Sequence, residues 1–579
     1  MSRLDWLVLG ATLLSIVAYG VWKGRKQQHL AGFLLADRKG KWPTIALSIM
    51  ATQASAITFL STPGQAYADG MRFVQFYLGL PIAMVILSAV AVPIFHRLHV
   101  YTAYEYLETR FDVKTRTMTA LLFLIQRGLS TGITIYAPSL IVSVLLGWNI
   151  YLTNLVIGLL VILYTATGGT RAVSGTHVQQ MLIILGGMAT ALVIAIKSIP
   201  TDITFIEAVK VAGRMGRLNL IDFSFDLTTP YNFWSGLVGG GLVALSYFGT
   251  DQSQVQRYLT GASVAESRFA LLVNGLVKVP MQFFILFVGA MVFVFYQFVA
   301  PPLFFNTVER AKVAASPYAG AYTQLEAQHE AEFARKRASV GALVQAMRAR
   351  DAGAVASATG ALRTAQAAEA VTRSKAVSLL QRANPAGDRS DTNYVFLTFV
   401  LRFLPAGVVG LVMAAIFCAS MSSTAAGLNS LASTSVVDIY KRLINPNATE
   451  QQYVGASRWL TVAWGLFAIG FAEYSNRLGS LIEAVNRLGS LFYGTILAVF
   501  LLAFFTKEVS GTAVCIAAAI GEAAVVYCWL FSPLAWLWWN VVGLGVTVLA
   551  AMVVERLLLR FVVSRSGGEL DAALRDTTP

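Results

Sequence analysis

Apolar runs of about twenty residues, parted by short polar stretches, recur from one end of the chain to the other. A helix of that length crosses the hydrocarbon core of a bilayer. Windowed hydropathy predicts about thirteen such helices, near 5–22, 43–65, 73–96, 117–146, 149–168, 176–198, 233–250, 267–296, 405–437, 454–473, 478–503, 510–531 and 535–555. The run 5–22 is followed by Lys23, Arg25 and Lys26, which reads as a retained helix stopped by a basic loop and not as a cleaved leader. One stretch breaks the pattern. Residues 300–390 are Ala-rich and charged, with spaced Leu and Val, a composition that favours helix. They predict a two- or three-helix hairpin projecting outside the membrane.

Charge sets the orientation. The basic loops hold Lys23 to Lys26, Arg97 to Arg116, Arg171, and Lys441 with Arg442, and the tail holds Arg556, Arg560 and Arg565. With thirteen spans these fall on one side only if the N-terminus is outside and the C-terminus cytoplasmic. The chain is 56% hydrophobic and 13% charged, about half the charge of a soluble domain. The net charge of +14 is therefore a topology signal and not a nucleic-acid surface. Cys418, Cys515 and Cys528 all lie in apolar segments, and no Cys/His spacing suggests a metal site. These features predict a multi-pass protein of a cell (inner or plasma) membrane whose partner is the lipid bilayer, with no nucleic acid and no obligate protein partner.

Two segments read as interrupted membrane helices, whose unwound carbonyls can coordinate cations at the midplane. The first runs from Ala46 to Pro63-Gly64 and is rich in small and hydroxyl residues. The second runs from Trp234 to Thr250 and holds the triplet Gly239-Gly240-Gly241. Each opens a run of about five helices, as in a five-plus-five inverted repeat. The resulting division is 1–42, an additional N-terminal helix and loop; 43–198, the first repeat; 199–232, an external loop; 233–503, the second repeat with the insertion; 504–555, two C-terminal helices; and 556–579, a cytoplasmic tail. Close packing of small residues at helix interfaces would also explain either segment taken alone. A third segment, Ala419 to Thr434, carries seven hydroxyl side chains and Asn429. Sodium is a hard cation that takes oxygen ligands. Ser422 and Ser423, one turn after Ala419, offer them.

Several motifs occur together in order: Ala51-Thr52-Gln53-Ala54-Ser55-Ala56-Ile57-Thr58-Phe59, Tyr104 to Phe111, Tyr136-Ala137-Pro138, Gly168-Gly169 with Ala172-Val173, Gly249-Thr250-Asp251-Gln252 with Val255-Gln256-Arg257-Tyr258, and Ser422-Ser423 through Asn429-Ser430 to Asp438-Ile439-Tyr440. In this set the sequence resembles the sodium:solute symporter family over roughly 1–300 and 395–560. The resemblance implies an all-α, LeuT-like membrane fold. It also implies a sodium site from the Ala51, Ala54 and Ala419 carbonyls and the Ser422 and Ser423 hydroxyls, with sodium the only metal and no further cofactor. Substrate contacts would fall at Gln53, Ser55, Thr58 and Gln75, with Tyr136 facing the site and Tyr247, beside Phe248, as a gate.

The departures carry information too. Relatives with a second sodium site carry an acid after the Thr of the fifth core helix, and here His177 follows Thr176. Similar galactose transporters place an amide where this chain has Ala244. Similar sialic-acid transporters place an arginine where it has Ser130, but Arg127 lies one turn away. An intramembrane arginine is a candidate functional group, although it can also snorkel to the membrane surface. The predicted function is sodium-coupled import of a small organic solute, most simply an organic anion such as a monocarboxylate or sialic-acid-like acid. A sugar or polyol is the alternative. No catalytic constellation suggests an enzyme. A membrane sensor would need an output domain, for which residues 556–579 are too few.

Overall fold

We describe a computed structural model of the protein over residues 1–24, 30–385, 387–475 and 478–575. Backbone groups in lipid must bond within their own segment, and the apolar runs accordingly fold as helices, with no strand among the described residues. Nine of those helices are long and apolar enough to cross a membrane, or ten when the bent pair Trp42–Gln53 and Ala56–Asp69 counts as one span. Ile150–Leu163 and Ser235–Gly249 are shorter apolar helices. Together with the 22-residue helix Arg3–Gly24, they occupy the places of the other three expected spans. The runs expected at 149–168 and 176–198 join as one helical element, Ile150–Lys197. The side chains of Gly168, Gly169, Arg171, Ala172 and Val173 lie outside the described residues. The last helix, Trp536–Arg575, continues through most of the expected tail.

Both expected helix breaks exist, but their causes differ from the sequence reading. The first falls at Ala54–Ser55, where the pair bends by 60°. Ala54 has φ −81° and ψ 76°, and Ser55 is extended. Pro63-Gly64 does not end this segment, and the helix continues to Asp69. Pro63 instead accompanies close packing: a Cβ on Gly289 would lie 2.2 Å from the Pro63 carbonyl, and one on Gly64 would lie 1.9 Å from that of Thr392. The second break falls at Thr250–Asp251, between Ser235–Gly249 and Gln252–Leu259, and not at the glycine triplet. Gly239 and Gly240 serve contact instead, since a Cβ on either would meet the Leu537 or Phe76 carbonyl at 2.6 or 2.3 Å.

The second break is held by the loop motif. Tyr104 Oη donates to the Thr250 carbonyl at 2.8 Å, and the Gln252 side-chain amide donates to the Tyr101 carbonyl at 2.8 Å. The same loop reaches the helix carrying the Ser motif. Arg116 contacts Glu108 and Asp438, each at 2.8 Å, and Thr102 Oγ1 donates to Asp438 at 2.9 Å. Three motifs far apart in sequence thus form one polar network beneath the second break.

The insertion folds as Ala319–Ala349 and Ala352–Ala383, an antiparallel pair around Val340, Leu343, Val355 and Leu362, with Lys336 paired to Glu369 at 2.5 Å. It is a hairpin, as expected, but its tip is tethered. Arg348 pairs with Glu207 of helix Phe205–Arg214 at 2.7 Å. Lower down, Arg373 pairs with Asp391, the residue preceding helix Thr392–Phe403, and that helix packs on Ala56–Asp69.

Candidate functional site

The two breaks face a common cavity of about 100 Å³, space for several waters or a small solute. The first broken helix contributes Thr52, Gln53, Ser55 and Thr58. Helix Val113–Leu146 contributes Arg127, Ser130, Thr131 and Thr134, and Ser235–Gly249 contributes Ala244, Tyr247 and Phe248. Helix Leu481–Phe505 adds Asn486 and Tyr493, and helix Val408–Thr434 adds Ser423. Hydroxyls, amides and aromatic rings dominate the polar lining. The Gln53 amide oxygen and Arg127 Nε are buried without a hydrogen-bond partner. Buried polar atoms in native proteins are rarely left so, and here two of them belong to cavity-lining residues, one an acceptor and one a donor.

Arg127 is otherwise engaged. Its guanidinium pairs with Asp251 at the second break and lies over the Tyr247 ring, 5.5 Å from the centroid. Tyr493 Oη donates to Asp251 at 3.4 Å, and Gln126 donates to Tyr493 Oη at 3.2 Å. Asp251 also caps helix Gln252–Leu259, accepting from Ser253 N at 2.9 Å. Its motif was visible in the sequence, but its pairing with Arg127 was not.

Beside the cavity lies the oxygen cluster. Chain unwinding at Ala54–Ser55 sends the Ser55 N–H to the Gln53 carbonyl at 3.0 Å, leaving the Ala51 carbonyl without its usual donor four residues on. Ser422 Oγ donates to that carbonyl at 2.9 Å and to the Ala419 carbonyl at 3.0 Å. Ser423 Oγ also donates to Ala419, at 3.0 Å. Ala51, Ala54, Ala419 and Ser422 are buried. This neutral set of carbonyls and hydroxyls suits a hard monovalent cation.

The profile of the sodium:solute symporter family matches residues 33–316 and 380–521, which include both breaks and the whole cluster. The chain belongs to this family. The chain is 34% identical to the sodium/iodide cotransporter of Homo sapiens over 273 residues, covering 47% of this chain and 42% of that protein. It is 26% identical to the sodium-dependent multivitamin transporter of Oryctolagus cuniculus over 512 residues, covering 87% and 66%. It is 27% identical to sodium-coupled monocarboxylate transporter 1 of Mus musculus over 501 residues, covering 86% and 68%. The chain thus spans less than half of the iodide cotransporter and about two thirds of the other two. Its fold matches that of a Na⁺-coupled sialic acid symporter solved substrate-bound and outward-open. The TM-score is 0.72 at 22% identity, over 96% of this chain and 98% of that one. The protein is therefore an integral membrane protein of the sodium:solute symporter family.

Two of the expected substrate residues do not reach the cavity. Gln75 is fully buried, donates to the Tyr231 carbonyl and accepts from Asp222 N, each at 2.9 Å. Its amide is spent fastening the 219–232 loop. Tyr136 lies further along helix Val113–Leu146 and lines a separate cavity with Tyr394 and Asp388. Nine residues after Arg127, or two and a half turns, its side chain has moved to another level and face. Gln53, Ser55, Thr58, Arg127, Tyr247 and Phe248 do meet at the cavity. His177 is buried against the first broken helix, its Nδ1 2.9 Å from Ser48 Oγ. Thr134, Asn486 and Tyr493 were not singled out from sequence, and Ser130 was noted only as a place where similar sialic-acid transporters carry an arginine. A hydroxyl in an apolar helix is equally well explained by helix packing, and nothing in local spacing marks these four as cavity-lining.

Proposed function

We propose that the protein is a sodium-coupled symporter that imports a small organic anion across a cell membrane, inner or plasma, by alternating access. The carrying observation is Ser423, which belongs to the Ala51–Ala419–Ser422 oxygen cluster and also lines the cavity. Sodium held by Ala51, Ala54, Ala419, Ser422 and Ser423 would order the first break, from which Gln53 and Ser55 reach the solute. Each ligand then raises the other's affinity, as linkage requires. With the N-terminus and insertion outside and the C-terminus cytoplasmic, inward sodium movement is driven by its gradient and by a membrane potential worth about 2.3 kcal/mol per charge per 100 mV. Tyr247 and Phe248 would close the cavity, and the two breaks would be the hinges of a five-plus-five inverted repeat.

Arg127 at the cavity and the monocarboxylate and iodide relatives favour an anion. One observation favours a neutral sugar or polyol: Asp251 already neutralises Arg127. A thermal-shift screen of small carboxylic acids against sugars and polyols, with and without sodium, tests the reading. Sodium-dependent stabilisation by acids alone supports it, and stabilisation by sugars alone moves the substrate to the second class.

A further inference from the structure

The pairing of Arg127 with Asp251 bears directly on what charge the cavity accepts. An arginine guanidinium stays protonated under all conditions a protein meets, so the cavity always holds this cation. Asp251 is 2% exposed and within bonding reach of it. Asp251 does not itself line the cavity but pairs with Arg127, which does, and every polar lining residue apart from Arg127 is a hydroxyl or an amide. The balance between these two side chains therefore fixes the formal charge presented to a solute. The pair also joins two separate elements, Arg127 in the continuous helix Val113–Leu146 and Asp251 at the break between Gly249 and Gln252.

We propose that Asp251 determines the charge selectivity of the central cavity. It is the resident counter-ion of Arg127, and an anionic solute must share or take the guanidinium from it. The proposal rests on the symport reading of the same cavity. Two negative groups on one cation repel each other in a poorly solvated site, where charge pairs couple strongly. Asp251 therefore lowers anion affinity and raises selectivity, because only a solute whose other contacts are good can compete. An anion that does take Arg127 frees Asp251 at the hinge of the second broken helix. Arg127 Nε, buried without a partner, is the donor left over for the incoming solute.

The substitution Asp251→Asn isolates the charge. Asparagine caps helices as well as aspartate, so the contact to Ser253 N survives while the negative charge is lost. The probes are propionate and its neutral isostere propionamide, titrated in saturating sodium onto purified wild type, Asp251→Asn, and Asp251→Asn with Arg127→Gln. Propionate binding to Asp251→Asn is expected to be tighter than to wild type by about tenfold or more, in the range of measured charge-pair couplings. Propionamide binding should be unchanged, and adding Arg127→Gln should abolish the gain. Propionate binding that is equal, weaker, or absent in both proteins overturns the proposal, as does an equal gain for propionamide. Sodium-induced stabilisation of the same wild-type sample is read separately. If it is present while propionate shows no gain, the selectivity role fails and the symport reading stands; if it is absent, the symport reading fails.

Discussion

Ser422 Oγ lies 2.9 Å from the Ala51 carbonyl, a contact between residues 371 positions apart that joins the broken first core helix to the hydroxyl-rich helix Val408–Thr434. Each side needs the other. The carbonyl has lost its helical donor to the break, and the single Ser422 hydroxyl proton is shared between the Ala51 and Ala419 carbonyls, which a cation would also take as ligands. Ser423→Ala removes one oxygen of this set without disturbing the Ser422–Ala51 contact. It should weaken sodium affinity by about tenfold, comparable to losing one buried polar partner, and leave thermal stability without sodium nearly unchanged. Sodium titration of a melting curve measures both. Equal sodium affinity in the variant would remove Ser423 from the ion site.

The family resemblance puts His177 where an acid would be needed for a second sodium site, and its Nδ1 is taken up by Ser48. A neutral or cationic imidazole offers sodium no carboxylate, so one sodium ion should accompany each solute. A charge-to-flux ratio measured on proteoliposomes checks this. A ratio that requires two ions, or a sodium Hill coefficient near two, contradicts it.

The helical insertion touches neither the cavity nor the oxygen cluster. Replacing residues 310–388 with a short Gly/Ser linker should leave sodium-dependent stabilisation intact. It should also lower the melting temperature, because the contact of Arg373 with Asp391 and that of Arg348 with Glu207 are lost. A folded deletion protein that no longer responds to sodium would place the hairpin within the transport mechanism.

Asp388, at the base of the insertion, is 9% exposed. Burial, followed by the like charges of Asp391 and Glu309, pushes its carboxyl up to about 8. The folded state thus holds a proton that the unfolded chain releases near pH 4. The resulting stability is full below that pH and is lost as pH rises through about 8. Asp388→Asn should flatten the fall in melting temperature across this window. An unchanged slope would show that Asp388 does not govern it.

The membrane spans were legible because lipid leaves the backbone no choice but helix and the apolar runs have the length that demands. The oxygen cluster of Ala51, Ala419, Ser422 and Ser423 could be named from sequence only through the family resemblance, because the contact of Ser422 with Ala51 spans 371 positions. Other features depend on contacts that no local spacing encodes. The glycine triplet looked like a break and proved to be a packing surface, because a missing Cβ serves either end. Gln75 had the chemistry of a substrate contact, but the 219–232 loop takes up its amide. Asp251 was visible as a motif member, yet its partner lies 124 residues away. The hairpin's composition gave its helices but not the Glu207 tether at its tip.

The central claim is coupling to sodium. The most direct measurement is solute uptake into proteoliposomes containing the purified protein, driven by an inward sodium gradient and repeated with sodium replaced by choline or potassium. For an acid or other solute found in the thermal-shift screen, uptake above the equilibrium level is expected with sodium and only passive equilibration without it. Concentrative uptake that is unchanged in choline or potassium would contradict the account.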